Sequence, residues 1–146
     1  MEAKATGKLL QISTKQSVEI CSFLRGKTTD RGKQILERVL EMKEAIPYKR
    51  YNHNVGHRPG KMAAGRYPLK AASQILNLLK NAEANAEAKG LSKPFVIKEM
   101  LANQGVRSWH PGRQRRRKTK STHIKILLHG TEIKETKEKA KIETKK

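Results

Sequence analysis

The chain has 146 residues, with 33 Lys and Arg against 13 Asp and Glu, a formal net charge of +20 and a pI near 10.4. That length fits one domain with appendages, and that charge is the electrostatic footprint of a polyanionic partner, nucleic acid ahead of an anionic membrane surface. No apolar run approaches the roughly 20 residues of a spanning helix, residues 1–13 lack the apolar core of a secretory signal, and a lone Cys21 excludes an internal disulfide and suits a reducing compartment.

With aromatic residues at only 4% of the chain, the core must be small and aliphatic. Residues 8–12 read as a short strand. Ser13 follows as an N-cap with Gln16 three residues on, the spacing of a capping box. Val18, Ile20, Phe23 and Leu24 fit one face of a first helix, which Gly26 ends. A second helix starts near Thr29 and Asp30. Ile35, Leu36, Val39 and Leu40 form its apolar stripe, and Pro47 closes it.

Residues 47–67 differ in kind. Lys49, Arg50, Arg58, Lys61 and Arg66 occur there with no acid, interleaved with Tyr48, Tyr51, His53, His57 and Tyr67. Gly56, Pro59, Gly60 and Gly65 break any regular element, so the stretch is expected to be a long irregular loop. Cations mixed with rings suit a phosphate backbone to track and bases to stack on. Pro68 then fits the first position of a third helix. Ala71, Ala72, Ile75, Leu76, Leu79, Ala82 and Ala86 line its face. Ile75, Leu76 and Leu79 are expected to meet Leu36, Val39 and Leu40. Gly90 ends the helix, with Leu91 placed for the hydrophobic contact of a Schellman ending.

Residues 95–108 form an imperfect strand with Gly105 inside it, and residues 122–128 a better one, with Ile124, Ile126 and Leu128 on one face. From residue 100 to 131 there is no Asp or Glu, while Arg107, Arg113, Arg115, Arg116, Arg117, Lys118, Lys120 and Lys125 all fall there. Such a segment repels itself and is complete only against a polyanion, where each cation on a phosphate releases condensed counterions. The turn is expected around residues 109–112 or slightly later. Two arms of about ten residues, at roughly 3.3 Å each, span about 30–35 Å, beyond the roughly 15 Å radius of such a domain. Residues 131–146 mix Lys and Glu at low complexity and read as a charged tail.

Catalytic and metal motifs fail on inspection. Residues 56–61 resemble a phosphate-binding loop only loosely: three residues separate the glycines where four are needed, and Met62 replaces the required Ser or Thr. His53 and His57 lie four apart on a glycine-rich loop without a third ligand nearby. The acids read as solvated faces and caps, and Cys21 as a small core residue. No catalytic residue, metal or cofactor is expected.

The motifs Ala5-Thr6-Gly7-Lys8, Leu10-Gln11-Ile12-Ser13, Pro47-Tyr48-Lys49-Arg50-Tyr51-Asn52, Gly56-His57 and Gly65-Arg66-Tyr67-Pro68 occur in order. They precede Asn81-Ala82-Glu83-Ala84-Asn85-Ala86-Glu87-Ala88-Lys89-Gly90-Leu91 and Thr122-His123-Ile124. Across residues 5–128 the chain resembles the universal large-subunit ribosomal protein L-twenty-two family, in the branch shared by archaea and eukaryotes. The resemblance implies an α+β fold, a small antiparallel sheet packed on three helices with a long protruding β-hairpin. It implies one RNA-binding domain over residues 1–130, including the basic loop 47–67 and the hairpin 95–128, in the large ribosomal subunit of the cytoplasm. The hairpin would run through ribosomal RNA to the wall of the nascent-peptide exit tunnel. One departure is local: Pro111 is followed by Gly112-Arg113-Gln114-Arg115, where the family has Pro, Arg-Ala and then Gly-Arg, and the arm is a few residues short.

The expected rRNA-binding residues are Lys49, Arg50, Tyr51, His53, His57, Arg58, Lys61 and Arg66 in the loop. In the hairpin they are Arg107, Arg113, Arg115, Arg116, Arg117, Lys118, Lys120 and His123, with Trp109, His110, Pro111 and Gly112 at the tunnel tip. The expected partners are large-subunit rRNA, neighbouring large-subunit proteins and a nascent peptide at the tip, with no membrane and no homo-oligomer. Two other classes compete: a DNA-binding architectural protein, which would bind duplex DNA as well as structured RNA, and a small RNA-acting enzyme, which would need converging acid, base or metal ligands.

Overall fold

The computed structural model describes residues 2–132, with side chains to Gly130. In chain order the elements are β1 (Glu2–Leu10), α1 (Thr14–Leu24), α2 (Thr29–Leu40), β2 (Ile46–Pro47), β3 (Gly65–Arg66), α3 (Leu69–Ala88), β4 (Leu91–Gln104) and β5 (Thr122–Glu132). Strands β1, β5 and β4 form an antiparallel sheet in that order, and β2 pairs with β3. The fold is α+β, three helices and a small antiparallel sheet.

The sheet buries one face. Along β5, Ile124, Ile126 and Leu128 are fully buried and alternate with half-buried residues, the period-two pattern of a strand with one face on a core. Ala3 and Ala5 of β1 face the same way. Strand β4 changes phase. Phe95 and Ile97 point inward, and so does Met100, because a bulge between Ile97 and Glu99 shifts the register by one. That bulge is why residues 95–108 alternate poorly as sequence.

The helices cover this face. On α3, Ala71, Ala72, Ile75, Leu76, Leu79, Ala82 and Ala86 are all buried as expected, joined by Leu78. Helix α2 packs on α3 through Ile35, Leu36 and Val39. Leu40 is only partly buried, packed against the core cluster. Lys33 spans the two helices, 2.9 Å from Glu83 and 3.0 Å from Asp30, and the Glu83 carboxylate holds its ammonium above the usual lysine range. On α1 the buried set is Ser17, Glu19, Ile20, Cys21 and Leu24, while Val18 and Phe23 sit half-buried at its margins.

Several boundaries differ from expectation for physical reasons. Strand β1 occupies residues 2–10 rather than 8–12, since it pairs along β5 from Thr122 to His129. Helix α2 stops at Leu40, well before Pro47: Met42 adopts φ 57°, and the N–H groups of Lys43 and Glu44 turn back to the Arg38 carbonyl. Strand β4 runs from Leu91 to Gln104, starting directly at the end of α3, where Gly90 has the positive φ of 72° that favours glycine. Strand β5 enters the stretch read as tail by two residues, and 133–146 lie outside the described residues.

Gly26, at φ +79°, turns the chain so that its N–H donates to the Ile97 carbonyl at 2.9 Å. The Ile97 N–H in turn donates to Lys27 O at 2.9 Å. The α1–α2 connection thereby covers part of the free edge of β4.

Candidate nucleic-acid interface

The basic loop is held from below by a residue the sequence reading treats as solvated. Glu19 is 2% exposed, and its carboxylate accepts backbone N–H bonds from Lys49 at 3.1 Å, Arg50 at 2.8 Å and Tyr51 at 2.7 Å. A buried carboxylate is tolerable when several donors satisfy it. Here those donors belong to the loop backbone, so the anion fixes the path of the chain and leaves the Lys49 and Arg50 side chains exposed. The available signal is that Glu19 is the lone acid of α1, set between the apolar Val18 and Ile20.

The loop is also more regular than its glycines suggest. Ile46 and Pro47 pair with Arg66 and Gly65. Tyr48 N–H donates to Ala64 O at 2.9 Å and Arg58 N–H to Ala63 O at 3.0 Å. Tyr48 is buried in the core rather than displayed as a stacking ring. Burial pushes its hydroxyl up to about 12, and its Oη has no hydrogen-bond partner among the described residues. Tyr51 and Tyr67 stay half-exposed beside cations: Arg50 and Lys15 each lie 5.7 Å from the Tyr51 ring, and Arg58 lies 5.2 Å from that of Tyr67. His53, His57, Arg58, Lys61 and Arg66 are exposed.

The hairpin continues beyond Gln104 on backbone bonds. Gly105 N–H donates to Ser121 O at 3.0 Å, Thr119 N–H to Ser108 O at 2.8 Å and His110 N–H to Arg117 O at 2.8 Å. Trp109 pairs with Lys118, and a 3-10 turn at Gly112–Gln114 reverses the chain. The turn therefore centres a little past residues 109–112. Trp109 and His110 lie on the arm before it, and Pro111 and Gly112 open it. A side chain at Gly105 would collide with Ser121 Oγ and come within 2.9 Å of His123 Nε2, so Ser121 and His123 would have to shift to admit one.

Every residue from Val106 to Lys118 is exposed, including Arg107, Arg113, Arg115, Arg116, Arg117 and Lys118, and Lys120 is exposed as well. Trp109 is 59% exposed, with Lys118 Nζ 4.3 Å from its ring centroid, so one ring face is already engaged by a cation. His123 differs from the others: its Nδ1 accepts the Leu9 N–H at 3.1 Å and so satisfies a donor at the β1 bulge.

Loop and arm meet at the start of α1. Arg66, Tyr51 and His53 from the loop line one cavity together with Lys15 and the arm residue Lys120. Arg107 lines a second, again with Lys15 and Lys120. The sequence presents these as separate patches.

Other chemistry finds little footing. Burial pushes the Cys21 thiol up to about 12, which makes it a poor nucleophile. Among the described residues, no group of three or more His, Cys, Asp or Glu could hold a metal ion. No described helix is long and apolar enough to cross a membrane.

A family profile covers residues 5–129, and it describes ribosomal proteins, a structural and non-enzymatic class. The family is ribosomal protein L22p/L17e, and the chain belongs to it, in its archaeal branch. Among similar proteins, large ribosomal subunit protein uL22 of Methanococcoides burtonii is 48% identical over 132 residues, covering 86% of this chain and 87% of the relative. The uL22 of Methanosphaera stadtmanae is 45% identical over 134 residues, covering 86% and 87%. That of Methanopyrus kandleri is 43% identical over 136 residues, covering 86% and 85%.

Proposed function

We propose that this protein is a structural constituent of the large ribosomal subunit, in the cytoplasm, where it binds and organises large-subunit rRNA beside neighbouring ribosomal proteins. The observation that carries the reading is the junction of loop 47–67 and arm 105–121 into one exposed surface without acids. Its mechanism has no chemical step. Exposed Lys and Arg neutralise phosphates and release counterions, while the α+β core sets their spacing. The finer reading takes the arm through RNA toward the wall of the nascent-peptide exit tunnel, with Trp109, His110, Pro111 and Gly112 near its end and a nascent chain passing them. Residues 1–130 act as one RNA-binding unit, and 131–146 as a charged tail.

Co-sedimentation tests this directly. The full chain is expected to travel with large ribosomal subunits through a high-salt sucrose gradient. In filter binding it is expected to prefer structured large-subunit rRNA over duplex DNA of equal length. Equal affinity for the DNA, or loss from the subunit peak, would favour the DNA-architectural alternative.

A further inference from the structure

The three-stranded sheet has two free edges, and the chain treats them differently. An unpaired edge is a template for another strand, and proteins blunt it with charge, proline, bulges or a cover. On the β1 edge, Asn85 Nδ2 donates to the Lys4 carbonyl at 3.1 Å and Lys89 Nζ to that of Glu2 at 3.2 Å, and a bulge follows Gly7. On the β4 edge, the α1–α2 connection bonds to Ile97, and Arg25 donates to the Met100 carbonyl at 3.0 Å. Beyond Met100 that cover ends.

Residues 101–104 are Leu, Ala, Asn and Gln, with neither charge nor proline among them. They pair with β5 in unbroken register, from Leu101 opposite Lys125 to Gln104 opposite Thr122. Bonding alternates along an antiparallel strand, and the Gly105 N–H is directed at Ser121. Leu101 and Asn103 therefore bond toward β5, while Ala102 and Gln104 turn their N–H and C=O groups outward. Among the described residues no segment pairs with that outward side.

This open stretch borders a cavity of roughly 350 Å³ between β4, α1 and the basic loop. Arg25, Lys49 and Arg50 line it, all three exposed. Its one acid, Glu19, is buried and already committed to three loop N–H groups. Successive side chains of a strand laid here would point to opposite faces. Those on the α1 side meet Arg25, Lys49 and Arg50, which calls for carboxylates. Those on the other side lie beside Leu101, which points away from the core because Met100 points into it, and that calls for apolar groups.

We infer that the outward edge of β4 at Ala102 and Gln104 receives an extended segment of another protein, one in which acidic and apolar residues alternate. The segment joins the sheet as a further strand, its main chain bonded to Ala102 and Gln104. The chain's own residues 133–146 hold more Lys than Glu and have the wrong charge for this place. The inference deepens the function proposed above, which puts neighbouring proteins beside this chain, and rests on it for the source of the segment.

Main-chain bonds supply the affinity in this mode, so a generic strand serves as the probe. A blocked peptide of about six residues alternating Glu and Val is added to the isotope-labelled full chain and followed by NMR. Amide exchange at Ala102 and Gln104 is expected to slow roughly tenfold at saturation. The counterpart with Lys in place of Glu should bind roughly tenfold more weakly. Gln104→Pro removes one outward donor and leaves the bonds of Asn103 and Gly105 in place. It should weaken binding of the Glu–Val peptide about tenfold and leave rRNA affinity unchanged, a split that a merely structural defect would not give. The wild-type titration decides the matter even if that variant fails to fold.

Unchanged exchange at Ala102 and Gln104 with millimolar peptide, or an equal response to both peptides, overturns the proposal. Stronger perturbation of the same amides by oligouridine would make the edge an RNA groove and overturn it too. So would slowing that follows the concentration of the chain alone, which would mean pairing between copies. Steeply salt-dependent rRNA binding without a peptide response sinks the attachment edge alone. A peptide response in a chain that ignores rRNA sinks the function proposed above and keeps the edge.

Discussion

Loop 47–67 and arm 105–121 share a composition, basic and free of acids, but they are held in different ways. The loop is tied to the core at several points: Glu19 grips three successive backbone N–H groups, Tyr48 is buried and β2–β3 closes the base. Past Gln104 the arm is bonded largely to itself, through exposed pairs such as His110 with Arg117 and Arg107 Nε with Thr119 O at 3.1 Å. Charge alone therefore does not decide whether a basic segment is ordered in advance. What decides it is whether the core offers a buried partner for the backbone. The loop presents a surface tied to the core, whereas the arm has only its own backbone pairs to hold it.

Amide exchange on the isolated full chain should show this contrast most strongly. Amides of Lys49, Arg50 and Tyr51 are expected to exchange roughly a thousandfold more slowly than those of residues 106–118, because the former open only with the core. Comparable protection in both segments would erase the distinction.

Glu19→Gln probes its cause. An amide side chain cannot accept with both of its polar ends, so at least one loop donor is left unsatisfied. We expect a loss of about 2–3 kcal/mol in chemical denaturation, with faster exchange confined to the loop. A loss below about 0.5 kcal/mol would mean that the loop is held by Tyr48 and β2–β3 alone.

Replacing Arg115, Arg116 and Arg117 together by Ala should do the reverse. Stability should be unchanged within about 0.5 kcal/mol, as expected of exposed sites. The salt slope of rRNA binding should fall by about two to three units. An unaltered slope would show that these arginines remain solvated in the complex.

The smallest effect concerns the end of the arm. Deleting residues 109–112 should leave incorporation into large subunits nearly intact while changing how particular nascent chains pause. Blocked assembly with normal pausing in the surviving particles would reverse that division of labour within the arm.

Much of the architecture was legible because it is periodic. The α3 stripe from Ala71 to Ala86 and the alternation of Ile124, Ile126 and Leu128 follow from repeat spacings that one segment carries by itself. The exposed cations of loop and arm were legible too, since acid-free runs have no internal partner. Less was visible where one segment answers another. The β4 bulge disrupts alternation in a way only its pairing with β5 explains. His123 looks like one more basic contact until the β1 bulge brings Leu9 N–H to its Nδ1. Tyr48 reads as an exposed ring until the loop folds it under.

By itself, then, the amino-acid sequence determined the three helices, the two hairpin strands, the aliphatic core and the polyanionic character of the partner, because helical and strand periods and net charge are properties of neighbouring residues. Only the tertiary structure decided that Glu19 organises a loop thirty residues away, and that Lys15, Arg66, Arg107 and Lys120 gather at one uncapped helix end. The physical reason is that a buried carboxylate, an orphaned hydroxyl and a bare helix terminus are defined by what lies beside them in space, and those neighbours come from distant parts of the chain.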